Sequence, residues 1–366
     1  MPFGVGATGW NWRGVFVEKG VEGFAKVLMR FFHSMKFIVA CMLLLVLVFM
    51  LGLGRVAVAG VVAKERVTLI TFDVDGTLIH GSSAKAEHSK HANAFAYAVG
   101  KFIGGEQQLH LRIPTPLTAI PSDRYHGATD GLIALNLINS LYKKKDVKHE
   151  ELQQIFRLMY EFYSSHSDED AIEGTNVLPG VIEKLMILAN ERKNGKLMVG
   201  LVTGNVEGIA RKKMRATKIY DTGIFTCKAA DQHFDGENHH TFLGGFGSDY
   251  CSFDIDDKSR LYKDRAEQIH IAYQRSLSLL SMNQEISRII HVGDAPSDVL
   301  AIKHLYDEKK LPPTVCISCI AVATGKYSSN ELHSLIGDPV QNKWDPHVLE
   351  KGIADDRFID ICTCSN

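Results

Sequence analysis

Val67 to Ile79, with the sequence VTLITFDVDGTLI, limits the folds open to this chain more than any other stretch. Val67, Thr68, Leu69, Ile70, Thr71 and Phe72 make an unbroken β-branched and apolar run, the pattern of a strand buried on both faces of a parallel sheet. The run ends on Asp73 and Asp75, followed at once by Gly76 and Thr77. Ionised carboxylates at the tip of a buried strand are costly unless a cation or hydrogen-bond donors meet them, so stability does not account for the pair. The cluster reads as a site.

The rest of the chain alternates in the way such a strand requires. Pro179-Gly180 opens a helix that runs through Arg192, Lys196 to Thr203 is a strand, and Val206 to Ala216 is a basic helix. Tyr262 to Leu280 has the spacing of a long amphipathic helix, Ile286 to Val292 of a strand, Pro296 to Leu305 of a helix and Thr314 to Val322 of a strand. Helices interposed between apolar strands predict a doubly wound α/β fold, a parallel, Rossmann-like sheet covered on both faces. Residues 83 to 175 differ in texture, with helical periodicity throughout. In the segment Glu151 to Tyr163, for example, Leu152, Ile155, Phe156, Met159, Phe162 and Tyr163 share one face. A block of that length is too long for a loop, so it is expected to be an inserted α-helical cap, with the core formed by 64–82 and 176–366.

Residues 1–63 are expected to lie outside both. A mildly basic lead precedes Phe37 to Gly54, eighteen residues without a charge and about the minimum for a membrane span. Ala57-Val58-Ala59 resembles a signal cleavage site, although the apolar run exceeds the usual signal core of roughly 7 to 15 residues. A signal-anchor and a cleaved signal both fit, and the basic lead predicts translocation of the globular part. No Asn-x-Ser/Thr acceptor occurs in the 366 residues, which disfavours a glycosylating lumen and keeps an organelle such as a plastid in view. Membrane association or a secretory or organellar destination is the expectation.

A net charge of −1 gives no general attraction to nucleic acid, so none is expected as a partner, and an anionic ligand must be met by local cations or a metal. The seven cysteines are too sparse for a disulfide scaffold. Cys316 and Cys319, three apart in a strand-like run, face opposite ways and read as small hydrophobes rather than metal ligands or a redox pair; Cys362 and Cys364 are expected to be unpaired, with a bridge the alternative in an oxidising compartment. The histidines, His88, His91 and the His239-His240 pair among them, lie in polar segments and are expected to be exposed.

In open α/β sheets ligands bind beyond the carboxyl ends of the strands. Three predicted strand ends carry polar residues: Asp73, Asp75 and Thr77; Thr203, Gly204 and Asn205; and Gly293, Asp294 and Asp298. Several carboxylates beside an anionic substrate need a divalent cation, and an all-oxygen set selects Mg²⁺. Thr203 would donate to a bound phosphate, Gly204 and its neighbours would offer backbone amides, and a base from Lys258, Arg260, Lys263 or Arg265 would hold a remaining oxygen. Arg265 is preferred. Asp264 and Glu267 form a D-x-x-E capping pattern that would put Arg265 in a first helical turn, where a cation is disfavoured unless an anion is near.

Asp-Val-Asp-Gly-Thr-Leu at 73–78, Val-Thr-Gly-Asn at 202–205, Asp-Arg at 264–265 and Gly-Asp-Ala-Pro-Ser-Asp at 293–298 resemble, in order, the four motifs of the haloacid dehalogenase-like hydrolase superfamily. Leu178-Pro179-Gly180-Val181, Ala323-Thr324-Gly325 and the helical insert resemble its phosphoglycolate phosphatase-like branch. The resemblance implies a phosphomonoester hydrolase, with phosphoglycolate the leading substrate. Asp73 would be the nucleophile that forms an aspartyl-phosphate, Asp75 the general acid and base, and Thr203 and Arg265 the binders of the phosphoryl group. Asp73, Asp75 through its carbonyl, and Asp294 would hold Mg²⁺, with Asp298 as a further ligand or a support for one. Asp75 separates this pattern from the metal-free dehalogenases, which lack an acid two residues after the nucleophile. Thr129 and Asp130, in His126-Gly127-Ala128-Thr129-Asp130, sit where relatives place a substrate-selecting loop; a helix cap is the other reading. A phosphomutase of the β-phosphoglucomutase type would share all four motifs, and a membrane-tethered phosphate-binding module with a vestigial site is the rival outside enzymes.

Overall fold

A computed structural model describes residues 64–81, 89–105, 113–144, 146–228, 241–336 and 344–364. Phe37–Gly54, His88 and the His239-His240 pair lie outside the described residues. Among the described residues no helix is long and apolar enough to cross a membrane. The chain from Lys64 onward forms one compact unit.

Its centre is β1 (Glu65–Phe72), the strand anticipated from the opening stretch. It pairs in parallel with β4 (Leu197–Thr203) on one side and β8 (Gln284–Gly293) on the other. β7 (Gly244–Phe246) extends the sheet beyond β4, while β9 (Cys316–Val322) and β10 (Asp345–Leu349) extend it beyond β8, giving six parallel strands in the order β10-β9-β8-β1-β4-β7. The chain winds outward from β1 through β4 to β7, then returns to β8 on the other side, so the winding reverses at β1. That reversal opens a crevice at the strand ends.

Helices cover both faces. α6 (Val181–Arg192), α7 (Glu207–Ala216) and α11 (Arg357–Thr363) bury Val181, Leu185, Met214 and Phe358 against Ile70, Phe72 and Val199. α8 (Arg260–Leu277), α9 (Pro296–Asp307) and α10 (Ser329–Ile336) bury Ile269, Ile302 and Leu332 against Leu69, Val202 and Ile289. Alternate residues of β1 serve the two cores, as the period of two requires. The fold is α/β and doubly wound.

The helical insert builds most of a third core, to which Val206 and Ile209 also contribute. α1 (Lys90–Gly104), α3 (Asp130–Tyr142) and α4 (His149–Ser164) pack through Phe95, Leu137, Ile155 and Met159, with the short α2 (Pro116–Ala119) and α5 (Asp168–Ala171) beside them. Its two ends are joined by an antiparallel pair, β2 (Ile79–Gly81) and β3 (Thr175–Val177).

Four features depart from the sequence expectation. β3 lies well before Lys196, where strand pattern was expected to resume; a three-residue strand is too short to show a period. β7 was missed because its sequence is Gly-Gly-Phe. A Cβ at Gly244 would lie 2.5 Å from the Leu201 carbonyl oxygen and one at Gly245 2.0 Å from that of Gln268, so close packing demands residues of low strand propensity. β10 was also missed. Finally, α8 starts at Arg260, two residues earlier than expected, behind a turn in which Asp257 accepts from the Ser259 backbone N–H at 2.8 Å and hydroxyl at 2.7 Å. Short two-residue strands, β5 (Cys227–Lys228) and β6 (Thr241–Phe242), form a separate antiparallel pair. Cys319 is buried and Cys316 exposed, as opposite faces require, and Cys362 and Cys364 are both free.

Candidate active site

Register brings the polar strand ends together. Phe72 stands opposite Leu201 of β4 and Val292 of β8, so Asp73, Thr203 and Asp294 emerge along one edge of the sheet. They line a cavity of about 440 Å³, whose far wall is built by insert residues including Phe95, Leu117, Tyr125, His126 and Ile133.

Asp73, Asp294 and Asp298 are all buried, and one carboxylate oxygen from each falls within 4.8 Å of the others. Arg265 is 2% exposed, and its Nη1 lies 3.5 Å from Asp73 Oδ1 and 3.0 Å from the Val202 carbonyl oxygen it donates to. Its Nε lies 3.1 Å from Asp298 Oδ1. Asp298 also accepts from the Ala295 amide at 3.0 Å and pairs with His291 Nε2 at 3.1 Å, while His291 Nδ1 meets the Thr71 hydroxyl at 3.0 Å.

These neighbours divide the carboxylates. Burial pushes Asp73 up to about 6; the Arg265 charge opposes the shift and the Asp298 and Asp75 charges add to it. Asp294 rises well above the carboxylate range, from burial and from Asp73 and Asp298 beside it. Burial acts the same way on Asp298, but Arg265 and His291 outweigh it and hold that carboxyl low. On the Asp73 and Asp294 side, negative charge therefore exceeds positive, and a hard divalent cation is the group that would balance it. Glycines leave room for the Asp294 carboxylate: a Cβ on Gly76, whose φ is +89°, would lie 2.3 Å from Asp294 Oδ2, and one on Gly325 1.6 Å from the same atom. The residues present fit a metal held by Asp73 and Asp294, with Asp298 held by Arg265 and His291 behind them.

Asp75 meets a different set. Lys213 Nζ donates to its two oxygens at 2.7 and 2.9 Å, and Asn205 Nδ2 donates at 2.8 Å. Burial opposes ionisation, but the Lys213 charge and the hydrogen bonds from Lys213 and Asn205 prevail and hold Asp75 below its ordinary value. Asn205 Nδ2 also donates to the Thr203 hydroxyl at 2.7 Å. Thr77 donates to Asp294 Oδ1 at 3.4 Å.

Arg265 reaches the site from the second turn of α8 rather than the first. Asp264 is no cap; it is buried and accepts from the Ser252 amide and hydroxyl at 3.1 and 3.2 Å. The rest of the expected cationic cluster stays away: Lys258 pairs with Asp123 at 2.7 Å on the surface, and Arg260 and Lys263 lie 3.5 and 3.7 Å from Asp257.

The insert meets the sheet at Gly204. Asp130 N–H donates to the Gly204 carbonyl oxygen at 2.7 Å, and Asp130 Oδ2 accepts from the Val206 amide at 2.7 Å. A Cβ on Gly204 would lie 2.5 Å from the Ala128 carbonyl oxygen, so this junction requires glycine. Thr129 takes the helix-cap role: its hydroxyl accepts from the Leu132 amide at 3.3 Å, and it does not line the cavity, whereas His126 and Asp130 do. His91, expected to be exposed, instead lines the cavity and pairs with Asp130 Oδ2 at 3.0 Å. Lys213 was overlooked within Arg211-Lys212-Lys213, which reads as a solvated face. The available signal was its spacing, four residues after Ile209 and three after Ala210, on the buried stripe of α7.

Three solved structures are similar to the chain, each at 15% identity. They are a phosphonoacetaldehyde hydrolase-like protein from Oleispira antarctica (82% of this chain and 93% of that one, TM-score 0.37), an archaeal β-phosphoglucomutase from the hyperthermophilic Pyrococcus sp. strain ST 04 (74% and 99%, TM-score 0.28), and a phosphoserine phosphohydrolase-like protein from Francisella tularensis subsp. tularensis SCHU S4 (79% and 96%, TM-score 0.27). No curated protein matches the sequence. The family model for haloacid dehalogenase-like hydrolases matches residues 67–305, which include all four motifs and most of the sheet. The chain belongs to the haloacid dehalogenase-like hydrolases.

Proposed function

We propose that the chain is a Mg²⁺-dependent phosphomonoester hydrolase that works through an aspartyl-phosphate on Asp73. The observation that carries this reading is the convergence of buried Asp73, Asp294 and Asp298 around Arg265, with Asp75 beside them in a separate charge environment. In this reading residues 64–82 and 176–366 are the catalytic core, 83–175 the cap that closes over the cavity, and the leader 1–63 an anchor or a removable signal.

Bound Mg²⁺ would neutralise Asp73 and Asp294 and polarise the phosphoryl oxygens. Arg265 keeps an Asp73 oxygen aimed at the crevice and, with the Thr203 hydroxyl and the Gly204 and Asn205 amides, offers donors to the phosphoryl group. Asp73 attacks phosphorus, the P–O bond to the ester oxygen breaks, and that oxygen takes a proton from Asp75, whose proton affinity rises when the dianionic ester enters beside it. Water then attacks the acyl-phosphate, giving its proton to Asp75. Inorganic phosphate leaves, Asp75 gives back to solvent the proton it took up when the ester bound, and both carboxylates return to their starting states.

The substrate class is a small phosphorylated metabolite, with phosphoglycolate heading the panel to be assayed. Phosphate release from such a panel, with and without Mg²⁺, tests the reading. Isomerised sugar phosphate without free phosphate would establish a mutase instead, and no Mg²⁺-dependent turnover at all would leave a phosphate-binding module.

A further inference from the structure

Lys213 has no part in the mechanism above, yet it is 6% exposed and its ammonium group is fully engaged. Nζ donates to Asp75, to Asn205 Oδ1 at 2.7 Å, and faces His91 Nδ1 at 3.2 Å. An ammonium has three hydrogens and no lone pair, so His91 Nδ1 must accept, and its Nε2 then carries the proton and donates to Asp130 Oδ2 at 3.0 Å. Asp130 is fixed in turn by the Val206 amide at 2.7 Å. The result is an unbroken chain of polar contacts, Asp130–His91–Lys213–Asp75, whose first two members come from the insert and whose last two come from the core. His91 is further held by Phe95, their rings 5.3 Å apart.

Asp75 follows a strand end and projects into an open cavity, where an unsupported carboxylate would turn freely. Lys213 and Asn205 together occupy both of its oxygens. A substrate-binding lysine would instead aim a hydrogen at the cavity, and here all three are taken.

We propose that Lys213 is a positioning residue for leaving-group departure: it aims Asp75 at the ester oxygen, and His91 and Asp130 of the insert hold Lys213 in place. This assignment rests on the phosphatase reading. It makes proton delivery depend on the insert being seated on the core, since half of the chain of contacts belongs to each.

Leaving-group dependence tests it. Proton delivery matters for an alkyl ester and hardly at all for p-nitrophenyl phosphate, whose phenolate departs without a proton. Rapid-mixing measurements of the phosphorylation step, with wild type, Lys213→Met, Lys213→Arg and His91→Gln, compare the two esters at saturating Mg²⁺. Lys213→Met is expected to slow the alkyl ester by about 10²-fold or more while the p-nitrophenolate burst keeps its rate. Lys213→Arg should recover part of the loss, and His91→Gln should show the same bias to a smaller degree. An equal loss on both esters, or a raised KM with kcat unchanged, would overturn the assignment. Thermal melting identifies any variant that fails to fold; should Lys213→Met do so, the other two variants carry the same comparison. Wild type inactive on both esters would remove the phosphatase reading itself, whereas active wild type with a uniform loss removes only the role of Lys213.

Discussion

Arg265 and Asp73 meet across the sheet edge, with Nη1 of the one 3.5 Å from Oδ1 of the other and both side chains buried. The same guanidinium stands 3.1 Å from Asp298, so it ties the end of β1 to the first turn of α9. Its fork geometry lets one cation serve two carboxylates and the Val202 carbonyl at once.

Removing that cation takes from Asp73 its cationic partner and leaves Asp298 with only His291 and the Ala295 amide. Arg265→Met is expected to destabilise the metal-free protein by about 3–5 kcal/mol, and Arg265→Lys by less, because a point charge cannot reach all three acceptors. Urea denaturation checks this through a lowered midpoint at unchanged slope. A midpoint equal to that of wild type would show that the pair is not formed in solution.

The raised carboxyls set a pH dependence of the metal-free protein. Asp73 moves from 3.8 up to about 6, and burial likewise pushes Asp264 up to about 6 against its bonds from Ser252. Between the unfolded and folded values the native state binds more protons than the unfolded chain, so stability falls as pH rises. Each group contributes on the order of 2 kcal/mol that is present below about pH 4 and lost by about pH 6.5. Asp75 and Asp298, held low, act in the opposite sense at more acid pH. Melting temperatures across pH 4 to 8 should therefore fall in metal-free buffer. Mg²⁺ should restore the part due to Asp73 at the alkaline end, and Asp264→Asn should remove the part due to Asp264.

Gly325 leaves room for the Asp294 carboxylate, which a Cβ would meet at 1.6 Å. Gly325→Ala must therefore shift Asp294, and it should weaken Mg²⁺ binding by about 10- to 100-fold with little change in the melting temperature of the metal-free protein. Titration calorimetry with Mg²⁺ alone reads the effect without any substrate.

Asp130 joins the insert to the core through the Val206 amide and His91. Asp130→Ala leaves a buried amide unsatisfied, at a cost of roughly 1–3 kcal/mol. Hydrogen exchange should quicken across residues 89–171 while β1 and β8 stay protected. Unchanged exchange in the insert would show that the junction is held by other contacts.

The part of this architecture legible in the sequence is the part repeated along it. β1, β4, β8 and β9 are apolar runs; Asp73 and Asp294 follow two of them and Thr203 closes a third, so both sheet and site edge could be anticipated. β7 could not, because its glycines answer to carbonyl groups of Leu201 and Gln268 that are distant in sequence. The capping pattern misplaces Arg265: α8 begins at Arg260, and the side chain lies in its second turn, against carboxylates, rather than in a first turn. Lys213 and His91 were missed because burial of a polar side chain is decided by its tertiary partners, which no local pattern records.

The most direct test of covalent catalysis is mass spectrometry of the rapidly quenched enzyme. Wild type mixed with Mg²⁺ and a turned-over phosphomonoester is expected to carry one added phosphoryl group on the peptide containing Asp73, and Asp73→Asn to carry none and to turn over no substrate while melting like wild type. Hydrolysis by Asp73→Asn at the wild-type rate, or the phosphoryl group found on another residue, would contradict the account.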